Sequence, residues 1–94
     1  MKILILGDVM GASGRNALNK KLPKLIESNE IDFAIVNGEN SADDGRGITQ
    51  EIAEEFFKIG VDVITSGNHI WDKQETTNYI NKENRLLRPA NLVE

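Results

Sequence analysis

The sequence predicts an α/β fold: a parallel sheet of three to four strands with helices packed on it, in the order β-α-β-α-β-α-β. Three short runs rich in Ile, Val and Leu, at residues 2–7, 31–38 and 61–67, do not alternate with polar residues. Such runs are typical of parallel strands that are buried on both faces. The segments between them carry apolar residues at helical spacing. With 94 residues the chain forms one domain at most, so residues 1–94 are a single domain or part of one.

Two helices are predicted between the three strands. Apolar residues recur at helical spacing in residues 14–28, where Pro23 predicts a kink or a later start of the helix. In the second connection, Thr49 is suited to cap the start of a helix, and Gly60 is suited to follow its last turn. Both helices are expected to cross from one parallel strand to the next.

The last part of the chain is predicted to add a third helix and a short fourth strand. Asp72 and Glu75 have the spacing of a capping box, with Asp in place of Ser or Thr, so the helix is expected to begin at Asp72. Apolar residues of the segment 85–93 follow, and Pro89 is expected to cut a strand short there.

Composition and charge exclude several classes of function. The net charge is -4, from 11 basic and 15 acidic side chains without a basic run. The chain therefore lacks the electrostatic surface that binds duplex nucleic acid or an anionic membrane. The apolar run after Met1 is too short for a signal peptide or a membrane span, and the absence of cysteine excludes disulfides and thiolate metal sites. The expected compartment is the cytoplasm.

A glycine ends each of the three predicted strands, at Gly7, Gly38 and Gly67, and polar side chains follow it. The glycines are expected to let the backbone turn tightly, and ligands of open α/β sheets bind beyond these carboxyl ends. Alone, each of the polar residues is more typical of a turn, a cap or the surface. Together they predict a site for hard or borderline metal ions. The residues concerned are Asp8, Glu39, Asn40, Asn68 and His69, the only histidine.

A different interpretation uses the first connection. Gly7, Gly11 and Gly14 match neither G-x-G-x-x-G nor a Walker loop, so a Rossmann or P-loop site is not indicated. Residues 11–15, which end with Arg15, could still present backbone donors and a guanidinium to an anion at the start of the helix. This leaves open a catalytically inert module that binds a nucleotide or phosphate without metal.

Four stretches of the chain resemble a known family. They are ILGDVMGASGR, IVNGEN, GITQEIAEEFFKIGVDVITSGNHIWDK and LLRPAN, and they are similar to the N-terminal part of a bacterial subgroup of calcineurin-like metallophosphoesterases. The subgroup includes phosphodiesterases that act on 2′,3′-cyclic nucleotides, and like them the chain has Met10 where the wider superfamily has the histidine of Asp-x-His. The resemblance implies a phosphodiesterase that hydrolyses small phosphodiesters or nucleotides through a hydroxide activated by two divalent metal ions, which are Fe, Mn, Zn or Mg.

The resemblance also implies a role for each residue at the strand ends. Asp8 would bind one metal ion, Glu39 would bridge two, and Asn40 and Asn68 would bind the second. His69 would act as the general acid that donates a proton to the departing alkoxide.

Members of this family are far longer, and their second half supplies histidine ligands and the second sheet of a sandwich. The chain is therefore expected either to be an N-terminal fragment of such an enzyme or to have its site completed by something else. In both cases it is expected to have little activity of its own, and its apolar strands need cover from elsewhere. A homo-oligomer or a complementary C-terminal segment would provide that cover. A third interpretation gives the chain no chemistry and makes it a half-domain that functions by associating with a partner chain.

Overall fold

The structure is a computed structural model that describes residues 1–67, 70 and 74–89. It contains a parallel sheet with the strand order β1-β2-β3-β4, and a helix connects each strand to the next. The predicted fold class is therefore confirmed. The elements are β1 (Ile3–Asp8), α1 (Gly11–Asn29), β2 (Phe33–Asn37), α2 (Gln50–Lys58), β3 (Val63–Thr65), α3 (Gln74–Ile80) and β4 (Leu86–Leu87).

The helix boundaries follow the capping signals in part. Thr49 caps α2, because its hydroxyl oxygen accepts a hydrogen bond from the backbone N–H of Ile52 at 3.2 Å. Gly60 follows α2 with a φ of +114°, so both predictions for this helix are confirmed. Of the two alternatives predicted for the first helix, a kink or a later start, the later start is wrong, because α1 begins at Gly11 and continues through Pro23. The predicted start of α3 at Asp72 lies outside the described residues.

One face of the sheet packs on the helices. Alternate residues of the strands, such as Leu4, Val36 and Ile64, lie on this face, and they meet side chains of α1 and α2 such as Leu22 and Phe56. Val36, Ile64 and Leu22 are fully buried there. The hydrophobic core therefore lies between the sheet and a single layer of helices.

The opposite face of the sheet is uncovered in the described part of the chain. Ile3 and Ile5 of β1 are 53% and 72% exposed, and Phe33 and Leu87 are also exposed. The register pairs Ile3 with Phe33 and Ile5 with Ile35, so these side chains form one apolar surface across the strands. The described part of the chain covers one face of the strands only, which agrees with the prediction that the strands need cover from elsewhere. We refer to Ile3, Ile5, Phe33 and Leu87 as the uncovered face.

The ends of β3 and β4 are fixed to each other. The Ser66 hydroxyl donates a hydrogen bond to the carbonyl oxygen of Leu87, and Arg85 stacks on the ring of Phe57, with its guanidinium carbon 3.9 Å from the ring centre. Arg85 also binds both carboxylate oxygens of Glu83, at 2.8 and 2.9 Å, and these hydrogen bonds lower the pKa of Glu83 to about 2. The hydrogen bond from Ser66 therefore ties the end of β3, just before residue 68, to β4.

Within the described residues, no helix is both long enough and apolar enough to cross a membrane.

Candidate functional site

Asp8 reaches the end of the sheet through a β-bulge. The register runs from Leu6 opposite Val36 directly to Asp8 opposite Asn37, so Gly7 is the extra residue. Without the bulge, Asp8 would follow Leu6 onto the core face, where an unpaired carboxylate would be strongly unfavourable. With it, Asp8 is exposed and Val9 enters the core, where it is 7% exposed. The bulge thus presents a carboxylate at the carboxyl end of β1.

Glu39 and Asn40 lie in a tight turn directly after β2. The Asn37 side-chain oxygen accepts a hydrogen bond from the Glu39 N–H at 3.0 Å, which is an Asx turn. The Ser41 hydroxyl and N–H both donate to the Gly38 carbonyl oxygen, at 2.8 and 3.2 Å. These bonds fix the direction in which the chain leaves the strand, and Glu39 and Asn40 are both half-buried.

The turn after β2 is also tied to both neighbouring strands. The Val9 N–H donates to the Asn37 carbonyl oxygen at 3.3 Å, and the Gly38 N–H donates to the Thr65 carbonyl oxygen at 2.9 Å. The ends of β1, β2 and β3 are therefore held side by side by backbone hydrogen bonds that continue the sheet.

The Glu39 carboxylate lies against the backbone of Gly67, at the end of β3. A β-carbon placed on Gly67 would overlap both carboxylate oxygens of Glu39. The side chain from the end of β2 therefore reaches across to the residue that immediately precedes Asn68. No hydrogen-bond donor to this carboxylate occurs among the residues that the structure describes.

The glycines at the strand ends serve a purpose different from the one predicted. None of Gly7, Gly38 and Gly67 has a positive φ, so the tight turn that begins at Gly38 does not depend on a backbone conformation that favours glycine. Gly38 is required by close packing, since a β-carbon there would lie 3.0 Å from Ile64 Cγ2 and 3.1 Å from Ile48 Cδ1. Gly67 leaves room for the Glu39 carboxylate. Gly7 forms the bulge, with open space around it.

The predicted site residues therefore fall into two groups. Asp8, Glu39 and Asn40 lie at the same edge of the sheet, after strands that are neighbours. Asn68 and His69 lie outside the described residues. Within residues 1–67, 70 and 74–89, no cluster of three or more His, Asp or Glu side chains could hold a metal ion without help.

The donors at this edge fit a hard divalent cation. Asp8 and Glu39 offer carboxylate oxygens, and Asn40 offers an amide oxygen, which are the ligand types that Mg²⁺ and Mn²⁺ prefer. The Glu39 carboxylate fills the space that Gly67 leaves open, and no N–H or O–H group of the described residues donates a hydrogen bond to it. A half-buried carboxylate in that position is suited to a cation as its partner.

Arg15 does not serve as a free anion site. Its Nη1 donates to the Ser41 carbonyl oxygen at 2.6 Å, and its Nη2 donates to Asp43 Oδ1 at 2.7 Å. The Arg15 side chain is only 19% exposed. Two nitrogens of the guanidinium are already engaged in hydrogen bonds within the chain, which disfavours the interpretation that residues 11–15 bind a phosphate without metal.

Sequence reasoning missed two features of this edge. The Asx turn of Asn37 could have been predicted, because an asparagine side chain often accepts a hydrogen bond from the backbone N–H two residues later. The approach of Glu39 to Gly67 had no local signal, because it joins residues from two strands whose adjacency only the folded sheet establishes.

The chain has a parallel sheet with carboxylate and amide side chains at the carboxyl ends of its strands. Open α/β proteins form a class that binds ligands at this edge. Within this class, the chain belongs to the YmdB-like protein family, whose model matches residues 4–94. The resemblance that the four sequence stretches predict is thereby confirmed.

Relatives match the chain over nearly all of its residues. The 2′,3′-cyclic-nucleotide 2′-phosphodiesterase of Bacillus subtilis (strain 168) is 44% identical over 94 residues, which are 100% of this chain and 35% of that protein. The crystal structure of a novel phosphatase from Mycoplasma pneumoniae superimposes with a TM-score of 0.91 at 35% identity, covering 99% of this chain and 33% of that one. A hypothetical protein from Thermus thermophilus gives a TM-score of 0.86 at 33% identity, covering 99% and 35%. The chain therefore spans about a third of the length of the relatives it matches.

Replacement by alanine is expected to affect stability differently at Gly67 and Gly38, because different atoms crowd the two glycines. Gly67→Ala is expected to change the free energy of unfolding by less than about 1 kcal/mol, because the displaced carboxylate ends a flexible side chain. Gly38→Ala is expected to destabilise the fold by about 1–3 kcal/mol, because it overpacks Ile64 and Ile48 in the core. Urea denaturation of both variants measures the difference.

A structure of the Gly67→Ala variant should show the Glu39 carboxylate moved away from the end of β3. Equal destabilisation by the two substitutions would contradict this account, since it would mean that Glu39 is held as firmly as the core side chains.

Proposed function

We propose that the chain provides part of the active site of a metal-dependent phosphodiesterase that hydrolyses small phosphodiesters such as cyclic nucleotides. The observation that supports this most is the Glu39 carboxylate, which lies across the end of β3 at the edge where β1 presents Asp8. The 44% identity with a 2′,3′-cyclic-nucleotide 2′-phosphodiesterase gives the class of substrate.

In this proposal Asp8, Glu39, Asn40 and Asn68 would hold two divalent metal ions, with Glu39 available to both. The ions are Fe, Mn, Zn or Mg. When bound, they supply positive charge that offsets the charge of the phosphoryl oxygens during hydrolysis. The residues themselves contribute fixed oxygen donors, and the hydrogen bonds around Asn37 and Ser41 keep Glu39 and Asn40 in place.

His69 is proposed to be the general acid of the reaction. Cleavage of a phosphodiester releases an alkoxide, which needs a proton. Imidazole has an ordinary pKa near neutrality, so it can hold that proton at physiological pH and still release it. His69 is the only histidine of the chain and follows Asn68, a proposed metal ligand, directly.

The uncovered face is proposed to bind a second layer of polypeptide, either another copy of the chain or a complementary C-terminal segment. Exposed apolar side chains on one face of a sheet are typical of a surface that has a partner. The cytoplasm is the proposed compartment, because a chain without cysteine fits a reducing environment.

Removal of a proposed metal ligand is expected to weaken Mn²⁺ binding. Asp8→Ala and Glu39→Gln should each raise the dissociation constant for Mn²⁺ at least about tenfold, because each removes one charged oxygen donor. Electron paramagnetic resonance of free Mn²⁺ in a titration measures this. Glu27→Gln, which alters an exposed carboxylate of α1, is the control and should bind Mn²⁺ as the unaltered chain does. Unchanged binding by both ligand variants would refute the metal site.

The His69→Ala variant is expected to lose turnover and keep its metal. A general acid contributes roughly 10²–10⁴-fold to the rate when the leaving group is an alkoxide, so hydrolysis of a 2′,3′-cyclic nucleotide should fall by about that factor. Hydrolysis of bis-p-nitrophenyl phosphate, which releases the stable p-nitrophenolate anion, should fall much less. The assay uses the 94-residue chain, or a longer chain that contains it, wherever turnover is detectable. The Mn²⁺ dissociation constant should stay within about threefold of the original. A large loss of Mn²⁺ affinity would make His69 a ligand instead.

The uncovered face is expected to cause self-association of the isolated chain. Ile5→Lys should shift the protein toward monomer, because it places a charge on the most exposed apolar side chain of the uncovered face. Asn19→Lys is the control for the added charge: Asn19 is exposed on α1, and its replacement should leave association unchanged. Sedimentation velocity over a range of protein concentrations measures the result. A chain that is monomeric without any substitution would disprove the prediction.

A further inference from the structure

We propose that Arg15 is a positioning residue for the candidate metal site: from α1, it holds the segment that immediately follows Glu39 and Asn40. This inference rests on the proposed function for the identity of the site. Arg15 would touch neither metal nor substrate and would act through the backbone of residues 40–43.

The contacts that support the inference involve two consecutive carbonyl groups. The Gly11 N–H donates to the Asn40 carbonyl oxygen at 2.9 Å, and Arg15 Nη1 donates to the Ser41 carbonyl oxygen at 2.6 Å. Both donors belong to the N-terminal end of α1, where backbone N–H groups have no partner within the helix. The N-terminal end of α1 and the turn after β2 are therefore joined directly.

Holding these carbonyl groups restricts the backbone of the site. The direction of the Asn40 carbonyl sets the ψ angle of Asn40, and the direction of the Ser41 carbonyl sets that of Ser41. On the other side, the Asx turn of Asn37 fixes the N–H of Glu39. Glu39 and Asn40 thus lie between two fixed points, and their side chains can rearrange only by rotating about their own bonds.

The bond to Ser41 should matter more than the ion pair with Asp43. Asp43 has a side chain that is 83% exposed, so its pairing with Arg15 is screened by water and contributes little. The Ser41 carbonyl belongs to a fully buried residue and receives a charge-assisted hydrogen bond. A lysine at position 15 could supply the charge, but it lacks the planar fork that reaches Ser41 and Asp43 together.

The experiment compares four variants of the 94-residue chain by two measurements. Arg15→Gln removes the charge and the fork, Arg15→Lys keeps the charge, and Asp43→Asn removes only the ion pair. Lys20→Gln removes an exposed cation from the same helix and is the control. Hydrogen exchange of the Ser41 and Ala42 amides is measured without metal, and Mn²⁺ affinity is measured by electron paramagnetic resonance.

The expected results are graded. Arg15→Gln should speed exchange of the Ser41 and Ala42 amides and raise the Mn²⁺ dissociation constant about 10–100-fold, as is typical when an outer partner of a metal ligand is lost. Arg15→Lys should show a smaller loss in the same direction. Asp43→Asn should stay within about threefold of the unaltered chain. Lys20→Gln should change neither measurement.

Exchange of the buried Leu22 amide in α1 separates a local effect from unfolding, and it should not change in any variant. Should Arg15→Gln fail to fold by circular dichroism, Arg15→Lys carries the comparison. Mn²⁺ affinity that responds to Asp8→Ala but not to either Arg15 variant would overturn the inference alone. Mn²⁺ affinity that is insensitive to Asp8→Ala would overturn the proposed function, and the positioning role with it.

Discussion

The strand order of the sheet is the constraint on which the rest of the structure depends. A crossover between parallel strands is right-handed, so a sheet whose strands follow one another in the order β1-β2-β3-β4 receives every connecting helix on the same face. The opposite face gains no cover from these connections, however apolar its side chains are. Ile3 and Ile5 are therefore exposed as a result of topology, although their own sequence favours burial.

The same strand order concentrates the candidate chemistry at one edge. The strands are parallel, so the carboxyl ends of β1, β2 and β3 lie side by side at one edge of the sheet. Residues far apart in the chain then become neighbours: Glu39 reaches Gly67, and Arg15 reaches Ser41. Helices on the core face bind the connection that follows β2. Gly11 and Arg15 of α1 donate hydrogen bonds to the carbonyl oxygens of Asn40 and Ser41, and the Thr76 hydroxyl of α3 donates to the carbonyl oxygen of Ile48.

Local sequence was sufficient for features that depend on local contacts. The apolar runs predicted the first three strands, and Thr49 and Gly60 predicted the limits of α2, because a cap and a left-handed residue act within one turn of the chain. The exposure of Ile5 depends on strand order, and the role of Gly67 depends on a side chain from another strand; neither has a local signature. The strand-end pattern did predict the edge at which Asp8, Glu39 and Asn40 lie, because parallel strands share a direction.

The bulge at Gly7 determines on which face of the sheet the side chains at the end of β1 lie. Along β1, the side chains of Leu4 and Leu6 pack on the core, while Ile3 and Ile5 form the uncovered face. Regular alternation would place Asp8 with Leu4 and Leu6, beneath the helices. The extra residue reverses the alternation just before the strand ends, so Val9 takes the core position and Asp8 shares the side of Asn37. A core side chain and a carboxylate of the candidate site therefore occupy adjacent residues, Val9 and Asp8, and a single irregularity in the backbone makes this possible.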